Sequence, residues 1–89
     1  IILELSSRRV WAGGRELALT PKEYALLRCL MQNKNLVMSR EQLLVRCWGY
    51  DYEGESRAVD THIKRLREKL GEHAGCIKTV IKAGYKLEG

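Results

Sequence analysis

Arg57-Ala58-Val59-Asp60-Thr61-His62-Ile63-Lys64-Arg65-Leu66-Arg67-Glu68-Lys69-Leu70 is the stretch that decides the fold. Val59, Ile63, Leu66 and Leu70 recur at spacings of four, three and four. At about 100° per residue they share one narrow stripe of an α-helix. Arg57, Thr61, Lys64, Arg65 and Glu68 fall within about 50° of the opposite direction, with His62 and Arg67 at the edges. Gly71 stops the helix. An element divided in this way anchors its aliphatic side in a core and leaves a cationic side wet, with the small Thr61 allowing close approach.

Reading outward toward the N-terminus, Tyr50 to Ser56 form an acidic loop holding Asp51, Glu53 and Glu55. Ser39-Arg40-Glu41-Gln42 has the capping-box pattern and opens a helix from Arg40 to Trp48, ended by Gly49. Thr20-Pro21-Lys22-Glu23 is a still stronger helix start, with a capping hydroxyl, a proline at the first helical position and a glutamate three residues after the cap. Tyr24, Leu27, Leu30 and Met31 continue it at helical spacing to Asn33. Ahead of Thr20, Ile1 to Leu5, Arg8 to Ala12 and Arg15 to Leu19 are β-prone, with Ser6-Ser7 and Gly13-Gly14 as turns between them. Toward the C-terminus, Ile77 to Ile81 and Tyr85 to Leu87 around Lys82-Ala83-Gly84 predict a β-hairpin. The order is three strands, three helices and a hairpin.

Eighty-nine residues fit one domain with a single core, and the chain has no linker, repeat or low-complexity stretch. With 45% apolar and 30% charged residues it has a globular composition. No uncharged run approaches the ~20 residues of a membrane span, so neither a membrane segment nor a signal peptide is expected. Cys29, Cys47 and Cys76 form no CxxC pair, which fits reduced thiols in a cytoplasmic protein. The chain starts at Ile1 on strand-like residues, the pattern of a fragment of a longer protein.

The net charge of +5 is unevenly spread: residues 1–56 carry net +1 and residues 57–89 carry net +4. Lys78, Lys82 and Lys86 lie four apart on the hairpin, on one side of the ribbon if they stay in register. A basic helix followed by a basic hairpin can hold a duplex at two places, with arginine reading guanine in the major groove and neighbouring cations on phosphates. A helix-turn-helix made from the second and third helices supplies that geometry. An ordinary solvated helix face satisfies the same charges.

The chain resembles the winged-helix effector domains of OmpR/PhoB-type two-component response regulators over essentially its whole length. The resemblance is carried by Leu19-Thr20-Pro21-Lys22-Glu23-Tyr24 with Leu26-Leu27, and by Ser39-Arg40-Glu41 and Leu43 with Trp48-Gly49. It continues through Arg57, Val59-Asp60 and His62-Ile63 to Arg65-Leu66-Arg67 with Lys69-Leu70, and ends on Thr79-Val80 and Gly84-Tyr85. It implies an α+β winged helix-turn-helix with a four-stranded N-terminal antiparallel sheet, three helices and a C-terminal β-hairpin wing. It also implies an N-terminal receiver domain in the full-length protein, whose phosphorylation regulates binding to double-stranded DNA.

By the same resemblance, Thr61, His62 and Arg65 reach base edges or nearby backbone. Arg57, Ala58, Lys64 and Arg67 match positions near phosphates, as do Arg40 and Trp48 on the second helix and Thr79 at the base of the wing. Many relatives carry Arg-Gly in the wing where this chain has Ile81-Lys82. Ile81 cannot act as a cationic probe, which leaves Lys82 as the candidate for the minor groove. Loop 50–56 occupies the place where the family contacts RNA polymerase or a neighbouring protomer, although a solvated loop fits it equally. Tandem or dimeric binding on DNA is a further implication.

The sharper chemical alternatives are weaker. Asp60 and His62 project about 200° apart on a helix, so they form no oriented acid–base pair, and Asp60 is expected to pair with Lys64 one turn on. His73 and Cys76 lack two further zinc ligands, and loop 50–56 lacks the glycine and glutamate placement of a calcium loop. Cys29, Cys47, Tyr24 and Trp48 are expected in the core. No cofactor, metal or catalytic residue is assigned. The competing reading is a winged-helix module whose third-helix face docks an acidic protein surface.

Overall fold

The computed structural model describes residues 1–89. Strands β1 (Ile2–Glu4), β2 (Arg9–Ala12) and β3 (Arg15–Leu17) form an antiparallel sheet in that order; α1 (Pro21–Gln32), α2 (Arg40–Trp48) and α3 (Arg57–Leu70) follow. A 3-10 turn at Gly71–Cys76, unforeseen in the sequence, leads into the hairpin of β4 (Ile77–Val80) and β5 (Gly84–Leu87). This is the winged helix-turn-helix architecture. Within residues 1–89 the N-terminal sheet has three strands, one for each β-prone segment ahead of Thr20, where the resemblance implies four. Strand β4 stops one residue short of Ile81, which lies in the turn.

Both predicted capping boxes form. Thr20 Oγ1 accepts from the Glu23 amide at 3.3 Å while Glu23 Oε1 accepts from the Thr20 amide at 2.9 Å. Ser39 and Gln42 make the same exchange at 3.1 and 2.8 Å. Glu23 does more than cap: it is 1% exposed, and its Oε1 also accepts from Lys69 Nζ on α3 at 2.6 Å. A local signal for a helix start is thereby also a long-range tie between α1 and α3.

One hydrophobic cluster joins every layer. Val10 and Leu17 of the sheet, Leu26, Leu27 and Leu30 of α1 and Leu43 of α2 meet the α3 stripe, and Ile77, Tyr85 and Leu87 close it from the hairpin. Val59, Ile63, Leu66 and Leu70 are each at most 1% exposed, so the third helix buries the side its periodicity predicts. No helix is long and apolar enough to cross a membrane.

The hairpin is held by backbone as well as side chains. The Met38 amide donates to the Tyr85 carbonyl at 2.7 Å, the Tyr85 amide returns the bond to Met38 at 3.0 Å, and the Asn35 amide donates to Leu87 at 2.7 Å. The link between α1 and α2 therefore acts as a short third strand along β5. Gly84 permits this approach: its φ is +141°, and a Cβ there would collide with the Met38 carbonyl.

Two outcomes follow from these contacts. Gly84→Ala is expected to lower unfolding stability by about 2 kcal/mol or more, seen as a lower urea midpoint at unchanged slope. At Glu23, burial alone would push the carboxyl up, but hydrogen bonds from Lys69 and the Thr20 amide outweigh it and hold the group below its ordinary value. The stability contributed by its charge is therefore full at neutral pH and is lost as pH falls below about 4. Glu23→Gln should cost on the order of 1–2 kcal/mol at pH 7 and flatten the acid limb of a thermal-stability profile.

Candidate nucleic-acid interface

Arg57, Thr61, Lys64, Arg65 and Glu68 are all exposed on one side of α3, opposite the buried stripe. Thr61 Oγ1 folds back on the Arg57 carbonyl at 3.2 Å, a one-turn contact that leaves the helix face low at its centre. Ala58 is half-buried beside it. The structure thus brings Arg57, Thr61, Lys64 and Arg65 together as one accessible surface.

His62, at the edge of that surface, is half-buried. Its Nδ1 lies 2.8 Å from the Ala58 carbonyl, and its ring meets Trp48 of α2 edge-on with centroids 5.1 Å apart. Trp48 is half-buried against the core and not fully enclosed, with Lys22 Nζ 5.4 Å from its ring centroid and Tyr52 at 6.1 Å. Lys22 also donates to the Cys47 carbonyl at 2.7 Å, which closes the C-terminal end of α2. The Trp48–His62 contact therefore joins α2 to α3, with Lys22 of α1 beside the Trp48 ring at the end of α2.

Asp60 does not pair with Lys64. Its Oδ1 accepts from Arg40 Nε at 2.8 Å and from the Tyr85 hydroxyl at 2.5 Å, joining α3, α2 and β5 at one carboxylate. Two donors on other elements replace the one-turn partner, whose ammonium stays in solvent. Burial, followed by the bond to Asp60, pushes the Tyr85 hydroxyl up, so it remains a donor. Arg40 stays exposed at the start of α2 beyond this contact.

Arg67 and Thr79 were separate candidates in the sequence; the structure joins them. Arg67 Nη2 donates to the Ile77 carbonyl and to Thr79 Oγ1, both at 2.8 Å, and the guanidinium lies 5.6 Å from the Tyr85 ring centroid. Its reach toward any ligand is correspondingly limited, whereas the Thr79 hydroxyl, accepting from Arg67, keeps its own hydrogen to donate. Beyond them Lys78 and Lys86 are cross-strand partners, as their spacing requires. Lys86 pairs with Glu88 at 2.9 Å. Lys82 sits in the exposed turn at φ +64°, beside Ile81 at 83% exposure.

Sequence reasoning missed the Asp60–Arg40–Tyr85 and Arg67–Thr79 ties, whose partners lie 12 to 25 residues apart. The only sequence signal was that Asp60 and Arg67 border the buried stripe.

The arrangement matches known proteins. The family model described as "Transcriptional regulatory protein, C terminal" matches residues 14–87. The chain belongs to this family. A member from Staphylococcus aureus, the transcriptional regulatory protein SrrA, is 49% identical over 97% of this chain. The chain spans 37% of that relative's length. Among solved structures, the DNA-binding domain of Bacillus subtilis CssR superposes with a TM-score of 0.86 at 32% identity, covering 97% of each chain. The Klebsiella pneumoniae RstA DNA-binding domain, solved in complex with the RstA box, gives 0.84 at 34% identity over 97% of this chain and 88% of its own. The resemblance to OmpR/PhoB-type effector domains stands on these matches.

The Asp60 tie has a measurable signature. Burial alone would push its carboxyl up, but the Tyr85 hydroxyl and Arg40 outweigh it and hold the group below its ordinary value. The tie is intact at neutral pH and weakens as pH falls below about 4. In Asp60→Asn, amide exchange at Met38 and Tyr85 is expected to speed up at pH 7 while the amides of Ile63 and Leu66 stay protected. Equal acceleration at all four sites would mean that the carboxylate supports the whole fold and not the wing junction.

Proposed function

We propose that residues 1–89 act as one domain that binds double-stranded DNA sequence-specifically, the effector domain of a two-component response regulator. The observation that carries this is the exposed Arg57, Thr61, Lys64 and Arg65 surface on a helix whose opposite side is sealed in the core. In this reading α3 enters the major groove, with Thr61, His62 and Arg65 toward base edges and Arg57 and Lys64 on phosphates. Backbone at Ala58, Arg40 and Trp48 at the two ends of α2, and Thr79 clamp the flanking phosphates. Lys82 reaches the adjacent minor groove. Arg67 acts by holding β4 against α3 and so placing Thr79.

The domain works by binding, within a longer cytoplasmic protein whose N-terminal receiver domain regulates it. Loop 50–56, with Asp51, Glu53 and Glu55 exposed, is offered to RNA polymerase, and tandem or dimeric occupancy of DNA completes the proposal. The solved complex of the RstA DNA-binding domain with the RstA box supports DNA binding by a domain of this fold.

Titration with random duplex DNA should give an affinity that falls steeply with salt, whereas docking to an acidic protein surface requires no such behaviour toward DNA. Lys64→Ala is expected to weaken every duplex alike and to reduce the salt slope by about one unit. Arg65→Ala should cost roughly 1–3 kcal/mol on a selected site and relax preference at one base pair. Selection from a random pool with the Arg65 and Thr61 variants checks this directly; uniform weakening on all sequences would make Arg65 a phosphate contact.

A further inference from the structure

On the side of the molecule away from α3, three arginines from three different elements border one surface pocket of about 320 Å³: Arg8 from the β1–β2 turn, Arg28 from α1 and Arg46 from α2. No carboxylate lines it. Its position follows from helix geometry. Arg46 precedes Trp48 by two residues and projects about 160° from it, and Trp48 is the residue that meets α3. Arg28 lies about 140° around α1 from Glu23, which faces Lys69 of α3.

Three guanidinium groups around one opening repel one another, and nothing in the wall neutralises them. The thiols of Cys29 and Cys47, which also line the pocket, stay neutral: burial pushes both up, Cys47 to about 11. A further wall residue, Tyr24, is 6% exposed, and its hydroxyl is buried with no hydrogen-bond partner. A buried hydroxyl without a partner is uncommon in a small domain. The Arg8 backbone adds to this, since it holds φ at +58°, a conformation that favours glycine or asparagine over arginine.

We propose that this pocket binds a phosphate monoester. A tetrahedral phosphoryl group presents three peripheral oxygens in different directions, which suits arginines offered by a turn and two helices, whereas a carboxylate offers two oxygens in one plane. Pro21 and Ala25 give the pocket an apolar wall against which an organic substituent rests. A bound ligand bridges the sheet, α1 and α2 without touching the α3 surface.

The test is titration of the intact 89-residue chain with inorganic phosphate and with phenyl phosphate at constant ionic strength, followed by NMR at the Cys29 and Cys47 amides and the arginine Nε–H groups. Saturable shifts are expected, tighter for phenyl phosphate, and at least tenfold weaker in the Arg28→Gln/Arg46→Gln double variant. Arg8→Gln, a change in an exposed turn, should weaken binding severalfold and serves if the double variant fails to fold. Linear shifts of equal size in parent and variants would overturn the proposal. Citrate binding as tightly as phenyl phosphate would overturn the phosphoryl assignment. Affinity of the double variant for random duplex DNA should be unchanged; a loss there with a reduced salt slope would make these arginines backbone contacts and also end the proposal.

Discussion

Enclosure of four aliphatic side chains on one side of α3 is the constraint on which the rest of the molecule depends. Val59, Ile63, Leu66 and Leu70 reach at most 1% exposure, and full burial of such side chains is worth about 1.5–3 kcal/mol each. Rotating the helix by one residue would turn Asp60, Lys64 and Arg67, or His62, Arg65 and Lys69, toward the core, at the desolvation cost of unpaired charge. The rotation of α3 is thus locked by its apolar side. The outward aim of Arg57, Lys64 and Arg65 is a consequence of that lock and needs no contact of its own.

Polar ties then turn a correctly rotated helix into a positioned one. Glu23 fastens α3 to α1 through Lys69, Asp60 fastens it to α2 and the wing through Arg40 and Tyr85, and Arg67 fastens its last turns to β4. Each couples a charged group at the margin of the aliphatic stripe to an element distant in sequence. These ties reduce the number of cations free to meet a polyanion, since Arg67 and Lys69 are engaged. In exchange they hold the hairpin and the start of α2 in one rigid relation to the helix, and simultaneous contact along a duplex requires that relation.

The same economy shapes the opposite side. Arg8, Arg28 and Arg46 border one pocket that no acid lines, although the chain places acids beside cations at Arg9–Glu16, Arg40–Asp60 and Lys69–Glu23. Positive charge is therefore placed in two ways: along the exposed side of α3, and at the border of a concavity lined by α1, α2 and the β1–β2 turn. An exposed helix side suits a groove in a larger partner, and a concavity suits a small ligand.

Amphipathic spacing, capping residues and turn glycines are local properties, so the number of helices, their starts at Thr20, Ser39 and Arg57, the buried stripe and the hairpin could all be read from the chain alone. The exposed surface of Arg57, Thr61, Lys64 and Arg65 follows from the same spacing, because burying one side of a helix necessarily exposes the other. Side-chain partnership is not local. Asp60 has Lys64 one turn away yet bonds Arg40 and Tyr85, and Arg67 meets Thr79 across a 3-10 turn that no pattern announced. Which donors reach a carboxylate, and which three arginines border one pocket, depends on how the packed elements cross in space, and only the folded chain decides that.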